Sequence, residues 1–125
     1  MNLDAQLERA CSRVPGLVRG ALVLVPDGFL LAATRGARSL ELEPLIRSAA
    51  RCFGARTPSP VDRPIVEYLF VIHDQLVVIQ GGRANGRLAL AAECERADNL
   101  GFVLGASRLA FADIEASVDL SPWGV

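Results

Sequence analysis

Residues 65–93 read IVEYLFVIHDQLVVIQGGRANGRLALAAE, and this stretch decides the fold because it predicts three consecutive strands. Both alternating sets of side chains in residues 65–72 are largely apolar, so this first strand needs cover on both faces of a sheet. His73 and Asp74 fit a two-residue turn, since both residue types tolerate positive φ. The predicted strands are residues 65–72, 75–80 and 87–93, with the glycine-rich segment 81–86 as the second turn.

The residues that precede this stretch begin with a helix and a hairpin. Apolar residues at helical spacing predict an amphipathic helix over residues 3–14, ended by Pro15-Gly16. Residues 17–25 are apolar and rich in β-branched valine and predict a strand, and the apolar residues 29–34 predict a second strand that returns beside it. Pro26-Asp27-Gly28 between them has the composition of a type I turn closed by a bulge.

A second helix and a long loop lie between the hairpin and the three strands. One apolar face predicts a helix over residues 41–54. Pro44 is acceptable in its first turn, where the missing N–H would have no intrahelical partner. Residues 55–64 contain Pro58, Pro60 and Pro64 and predict the longest loop in the chain, which is the best candidate for disorder.

The chain ends with a third helix. Asp98 is the predicted N-cap, and apolar residues repeat at helical spacing to residue 118. Gly101 and Gly105 weaken a helix interior, so we expect them to allow close approach to the sheet. Phe102 and Leu109 lie off the main apolar stripe, which either widens the buried face or leaves contacts for a partner.

The predicted organisation is one domain over residues 1–118 and a tail over residues 119–125. Three roles are open for Trp123 in this tail: it clamps the tail to the domain, it binds a partner, or it is mobile.

Length, charge and cysteine content narrow the class of protein. The chain has 125 residues, enough for one core. Its 13 basic and 14 acidic residues give no electrostatic case for nucleic acid. Three scattered cysteines form no Cys-x-x-Cys pair and favour a reducing compartment. Because the N-terminus lacks a signal core and no apolar run reaches the ~18 residues of a membrane span, we expect a cytoplasmic protein.

The sequence offers few groups for catalysis or metal binding. His73 beside Asp74 could act as an oriented base, but a solvated hairpin tip is the simpler interpretation. Segment 81–86 lacks the Gly-Lys-Ser/Thr ending of a phosphate loop and joins two strands. The Glu-Cys-Glu run at 93–95 has no His or Cys pair to complete a metal site, which favours a solvated strand end. The sequence therefore predicts a protein that is not an enzyme and has no cofactor or metal.

The order helix, two strands, helix, three strands, helix resembles the roadblock / dynein light chain family. Residues 20–25, GALVLV, followed by residues 26–32, PDGFLLA, resemble the first hairpin of that family. Residues 98–103, DNLGFV, resemble its entry into the last helix. The resemblance covers residues 3–118 and implies an α+β fold. In that fold, a five-stranded antiparallel sheet of order 2-1-5-4-3 carries the second helix on one face and the first and third helices on the other.

The resemblance also implies a homodimer. Family members pair their third strands across a two-fold axis into a ten-stranded sheet, with the two second helices side by side. A long, apolar edge strand invites such pairing because its backbone groups are unpaired. The residues expected at this interface are Ile65, Val66, Tyr68, Phe70, Ile72, Ala49 and Phe53.

The function implied by the resemblance is that of a regulatory platform. Family members mostly bind Ras-like GTPases or other roadblock proteins, and bacterial members regulate cell polarity and gliding motility. Since the chain ends soon after its last helix, we expect the shorter adaptor type. Expected partner-binding residues lie on the second helix or at the free edge of the second strand: Glu43, Arg47, Arg51, Asp27 and Phe29. The alternative is a small-molecule sensor of profilin-like or PAS-like architecture, which the aliphatic interior disfavours.

Overall fold

A computed structural model describes residues 2–34, 36–37, 39–54, 65–81, 86–96 and 99–124. The order of elements agrees with the sequence prediction, and a short 3₁₀ turn at Ser121–Trp123 follows the last helix. No helix in these ranges is long and apolar enough to cross a membrane. The bounds are α1 Leu3–Cys11, β1 Leu17–Leu24, β2 Phe29–Ala33, α2 Ser39–Gly54, β3 Glu67–Ile72, β4 Gln75–Gly81, β5 Leu88–Glu95 and α3 Leu100–Ser117.

The five strands form one antiparallel sheet of order β2-β1-β5-β4-β3, which confirms the predicted fold class. The central strand β5 pairs with β1 through Ala21 opposite Ala91, and with β4 through Ile79 opposite Ala91. Strands β2 and β3 lie at the two edges. The strand predicted to need cover on both faces is therefore an edge strand.

Side chains alternate along β5 between the two faces of the sheet. Leu88, Leu90 and Ala92 pack with α1 and α3, whereas Ala89 and Ala91 pack with α2. All five are essentially inaccessible to solvent. One helix on one face and two on the other is the predicted arrangement, and it explains why the central strand is apolar at every position of this run.

Helix α2 begins two residues earlier than predicted, at Ser39. Pro44 therefore lies in the second turn rather than in the first, and the expectation about its position is wrong. The carbonyl of Leu40 loses the N–H that would bond it in an uninterrupted helix. Leu40 is strongly exposed, so water can supply the missing donor.

Both strand turns require positive φ, as the sequence predicts. Gly28 has φ +78° and its N–H donates to the Leu24 carbonyl at 2.9 Å. His73 has φ 50° in the two-residue turn between β3 and β4. The bulge that was predicted to close the turn is not there, because Leu24 pairs with Phe29 and Val23 with Leu30; the β1–β2 register shifts instead between Leu22 and Val23.

The first turn of α3 differs from the prediction. Its N-cap is Asn99, whose Oδ1 accepts a hydrogen bond from the Phe102 N–H at 3.0 Å; Asp98 lies outside the described residues, as does the loop at 55–64. Gly101 and Gly105 do not approach the sheet, and a Cβ on Gly105 would meet nothing within 4 Å. Each glycine costs an exposed helix about 1 kcal/mol relative to Ala, and packing within the described residues does not compensate for this cost.

The segment after α3 is attached to the domain. Leu120 is buried in the cluster between the sheet and the α1/α3 layer. The carboxylate of Asp119 accepts hydrogen bonds from Ser121 N at 3.0 Å and Ser121 Oγ at 2.7 Å, and these bonds lower the pKa of Asp119. Trp123 remains partly exposed, so Leu120 rather than the indole anchors this segment.

Candidate interaction surfaces

In the part of the chain that the structure describes, no strand lies beside the outer side of β3. The N–H of Gly81 donates to the Val66 carbonyl at 2.7 Å, so residue 66 and every second residue after it bond to β4. Glu67, Leu69 and Val71 consequently direct their N–H and C=O groups away from the sheet. We call this side of the strand the β3 edge.

Apolar side chains accompany these backbone groups. Phe70 is 40% exposed, and Val71 and Ile72 are each 54% exposed. Phe70 and Ile72 lie on the α2 side of the sheet, whereas Val71 lies on the α1/α3 side. A run of three exposed apolar residues on an open edge is an interaction surface or an aggregation hazard.

An aromatic contact joins the β3 edge to the end of α2. The ring of Phe53 meets Tyr68 edge to face, with centroids 5.4 Å apart and planes at 82°. Tyr68 in turn lies parallel to Phe70 at 6.5 Å. Gly81 leaves the space for this arrangement, because a Cβ there would lie 2.5 Å from a ring carbon of Phe53.

On the opposite side of the sheet, an ion pair holds the beginning of β3. Arg108 on α3 donates to Glu67 through Nε at 3.0 Å and Nη2 at 2.8 Å. The hydrogen bond, and secondarily the charge of Glu67, raise the pKa of Arg108. Gln80 on β4 donates to the same carboxylate at 2.9 Å. The edge strand is therefore fixed at its start and exposed towards its end.

The expected dimer-interface residues do not all lie on this surface. Tyr68, Phe70, Ile72 and Phe53 surround the β3 edge and the end of α2, and residues 65–66 precede the strand and are partly exposed. Ala49 is different, since it is fully buried against the sheet of its own chain. Its methyl group has no accessible surface to offer a second copy.

The outer face of α2 contains the first set of expected partner residues. Arg47 Nη2 donates to Glu43 Oε1 at 2.9 Å, one turn away, and both side chains are well exposed. Arg51 is exposed on the following turn. Exposed ion pairs of this kind contribute roughly 0–1 kcal/mol to stability, so a partner could displace this one at little cost.

The expected residues at the other sheet edge form a less open surface. Asp27 is paired with Arg87 at 3.1 Å, and Phe29 is exposed. Further along β2, the outward N–H of Ala33 donates to the Asp4 carboxylate on α1 at 3.0 Å. Strand β2 is also short and interrupted by the shift in its register with β1. Its edge is therefore partly blocked, unlike the β3 edge.

The groups considered for chemistry are in structural or solvated positions. Burial raises the pKa of Cys11 to about 12 and the pKa of Cys94 to about 11, so both are neutral thiols in the core. His73 is exposed at its hairpin tip. Within the described part of the chain, no three His, Cys, Asp or Glu side chains are grouped to hold a metal ion.

Two ion pairs that fix β1 and β3 are among the polar contacts absent from the sequence interpretation. Arg19 donates to both carboxylate oxygens of Glu93, at 2.9 and 2.8 Å, and lies 3.9 Å from Glu41 on α2. Glu93 is thus an ion-pair partner rather than a solvated strand end. The other missed contact is Glu67 with Arg108. The available signal was a single charge within each otherwise apolar strand, since such a residue requires a partner.

Comparison of the sequence with protein-family models and with curated proteins gave no match. Comparison of the structure gave matches along nearly the whole chain. A Roadblock/LC7 domain from Streptomyces avermitilis is 13% identical with a TM-score of 0.71, covering 98% of each chain. MglB from Myxococcus xanthus is 12% identical with a TM-score of 0.69, covering 91% of this chain and 85% of MglB. MglC from Myxococcus xanthus is 18% identical with a TM-score of 0.62, covering 94% of this chain and 100% of MglC. The protein therefore has the Roadblock/LC7 fold, in common with MglB and MglC.

Proposed function

We propose that this protein is a non-catalytic homodimeric adaptor, of the MglC-like type, in a bacterial polarity or motility system. Its proposed partner is a Ras-like small GTPase or a roadblock-type regulator of one. The observation that carries the proposal is the β3 edge, which no strand of the described residues covers and where Phe70, Val71 and Ile72 are exposed. The structural likeness to MglB and MglC supports the choice of system.

The proposed dimer pairs the β3 edges of two copies antiparallel to each other. Glu67, Leu69 and Val71 carry the outward groups, so the register that uses all of them puts Leu69 on the two-fold axis and Glu67 opposite Val71 of the second copy. In the same register Tyr68 lies opposite Phe70 of the second copy. Cross-strand aromatic pairs add stability, and Phe53 extends this cluster on the α2 side.

We choose β3 rather than β2 for the dimer because the two edges differ in which outward backbone groups can bond to a second copy. Asp4 already accepts the outward N–H of Ala33 on β2. On β3 the outward groups of Leu69 and Val71 lie beside apolar side chains, so pairing would bury apolar area together with hydrogen bonds. A second copy is the simplest partner because it supplies the complementary edge and a symmetric, closed interface.

The sensor alternative receives no support from the interior. The buried polar side chains in the described residues are Thr34, Gln80 and Ser107. Each is hydrogen-bonded within the chain, to Gly20 N, Glu67 and the Val103 carbonyl respectively. A small-molecule site needs convergent polar groups that are free to bind a ligand.

The dimer is tested by replacing Val71 with proline. Val71→Pro removes an outward N–H without breaking a β3–β4 hydrogen bond, and edge strands tolerate proline in this orientation. We expect a monomer by sedimentation with unchanged circular dichroism, whereas Val71→Thr, which keeps the N–H and the β-branch, remains dimeric. Val71→Lys provides a second disruption by charge. A wild-type protein that is monomeric at micromolar concentration, or a Val71→Pro protein that is fully dimeric, would refute the dimer.

The partner surface on α2 is tested separately. Reversing the charges of Arg47 and Arg51 to Glu should weaken binding of a purified Ras-like GTPase or roadblock regulator in a pull-down. Glu43→Gln is the matched control, because it removes the ion pair with Arg47 but keeps both cations. Partner binding that is unchanged by the double reversal would exclude the α2 face.

A further inference from the structure

A groove lies between α1 and α3, on the face of the sheet opposite α2. Its volume is about 1110 Å³. Helix α3 contributes residues from Gly101 to Ser117, a distance of roughly 24 Å at 1.5 Å per residue. The groove is therefore as long as four turns of helix.

Small residues line the α1/α3 groove along the first turns of α3. Gly101 and Gly105 lie one helical turn apart, and a Cβ on Gly105 would have no atom within 4 Å. Ala10 and Ala106 also line the groove. Since ridges of one helix pack into grooves of another, two glycines at this spacing let a second helix approach closely.

Apolar side chains stand beside the glycines. Phe102 is 62% exposed and Leu109 is 68% exposed, and both line the groove. They lie two turns apart along α3, on either side of Gly105. The sequence left open whether these two side chains widen the buried face of α3 or are available to a partner. Their exposure excludes the first interpretation. Exposed apolar side chains of this size beside a groove indicate a binding surface.

The charges that line the groove are mostly positive. Arg9, Arg13 and Arg108 contribute three guanidinium groups, whereas Asp113 is the one acidic residue in the lining. Arg108 is already bonded to Glu67. No carboxylate in the described residues forms an ion pair with Arg9 or Arg13, which are exposed on α1. The chain as a whole has a net charge of −1, so the basic groove is a local feature.

We propose that the α1/α3 groove docks an amphipathic helix of another protein, with an apolar face and carboxylates along one flank. The apolar face packs on Phe102 and Leu109 above the two glycines, and the carboxylates pair with Arg9 and Arg13. The length of the groove and the sign of its charges select this occupant. The residues that carry this docking site, Phe102, Leu109, Arg9 and Arg13, lie neither on the β3 edge nor on α2, so the proposal stands or fails separately from the proposed dimer.

The test uses a fluorescein-labelled designed peptide of about 20 residues, long enough to span the groove as a helix. Its Leu and Ala residues follow helical spacing and Glu residues flank them; the control peptide has Lys in place of Glu. By fluorescence anisotropy, the Glu peptide should bind wild-type protein about tenfold more tightly than the Lys peptide, or better. Arg9→Glu combined with Arg13→Glu should reverse this preference.

Substitution of Gly105 gives a signature that a purely structural role would not produce. Gly105→Ala should raise the melting temperature, because alanine is the better helix former and has free space here. The same change should weaken binding of the Glu peptide, and Gly105→Leu should abolish it. Stability and binding therefore change in opposite directions.

Several outcomes would overturn the proposal. These are no binding of the Glu peptide up to about 1 mM, the range of very weak complexes, equal binding of both peptides, and unchanged binding to Gly105→Leu. Binding to phosphatidylserine vesicles without binding to the peptide would assign the groove to a membrane surface instead. Loss of a wild-type dimer in Gly105→Leu would assign it to a second copy of this chain.

Discussion

Replacement of Gly81 by alanine should destabilise the protein, although alanine is normally preferred to glycine in a strand. The new Cβ would lie 2.5 and 2.6 Å from two ring carbons of Phe53 and 3.2 Å from a third. The ring must shift to make room, and this shift disturbs its edge-to-face contact with Tyr68. The change therefore affects the aromatic cluster that borders the β3 edge.

The magnitude follows from two opposing effects. Overpacking a filled site costs about 1–3 kcal/mol, and the aromatic contact that is disturbed contributes about 0.5–1.5 kcal/mol of that cost. In the opposite direction, replacing glycine by alanine stabilises the folded protein by about 0.5–1 kcal/mol, because alanine loses less backbone entropy on folding. At the middle of these ranges, Gly81→Ala lowers the free energy of unfolding by about 1 kcal/mol.

A double-mutant cycle with Phe53→Ala isolates the clash. Once the ring is absent, only the backbone effect remains, and Gly81→Ala should stabilise the Phe53→Ala protein by about 0.5–1 kcal/mol. The sign of the effect thus depends on Phe53. Urea denaturation followed by circular dichroism measures all four proteins, at one protomer concentration because dimerisation changes apparent stability.

The opposite result would refute the packing argument. If Gly81→Ala stabilised the protein with Phe53 present, the ring would not occupy the space above Gly81. If the alanine were equally destabilising with and without Phe53, its cost would come from the backbone rather than from the ring. The first outcome would also put in question the contact of Phe53 with Tyr68 that links α2 to the β3 edge.

Two further predictions concern the helix cap and the buried thiols. Asn99→Ala should cost about 1 kcal/mol in urea denaturation because it removes the cap on the Phe102 N–H, whereas Asn99→Asp should be nearly neutral; equal losses would contradict the cap. Burial raises the pKa of Cys94 to about 11 and the pKa of Cys11 to about 12, from the ordinary thiol value of 9.0. Because the unfolded thiols lose their protons first, the contribution of the two neutral thiols to stability should be fully present below pH 9 and should be lost as pH rises through the folded values. Chemical denaturation across this range tests it, and a Cys11→Ala, Cys94→Ala protein that declines equally would contradict it.

Local patterns predicted the elements, and long-range contacts explain the differences. The two-residue turn at His73 depends on neighbouring residues, and the strands and helices follow from short-range periodicity. The sheet order is not a local property, and it was available only through the resemblance. The sequence placed Gly81 in a turn. The feature that requires glycine there is the ring of Phe53, which lies 28 positions earlier and is not visible in the local pattern.

The candidate surfaces were harder to predict than the fold, because the exposure of a side chain depends on which neighbouring helices and strands pack against it. Ala49 and Arg47 are two positions apart on α2, yet one is buried and the other is well exposed. Periodicity put Phe102 and Leu109 off the main apolar stripe of α3 but left open whether they are buried or exposed, and it did not separate Gly105 from the sheet. Only the packed structure distinguishes these positions.

The proposed dimer and the proposed groove place different chemistry on opposite faces of one sheet. Pairing two β3 edges continues the sheet, so both α2 helices remain on one face and both grooves on the other. The α2 face presents charges, and ion pairs there are weak, as for Arg47 with Glu43. Each groove presents Phe102 and Leu109 together with Arg9 and Arg13, which form no ion pair within the described residues, and this combination suits a tighter contact. A sheet with these two faces can bind a charged globular partner on one side and a helix on the other at the same time, because neither site uses a residue of the other.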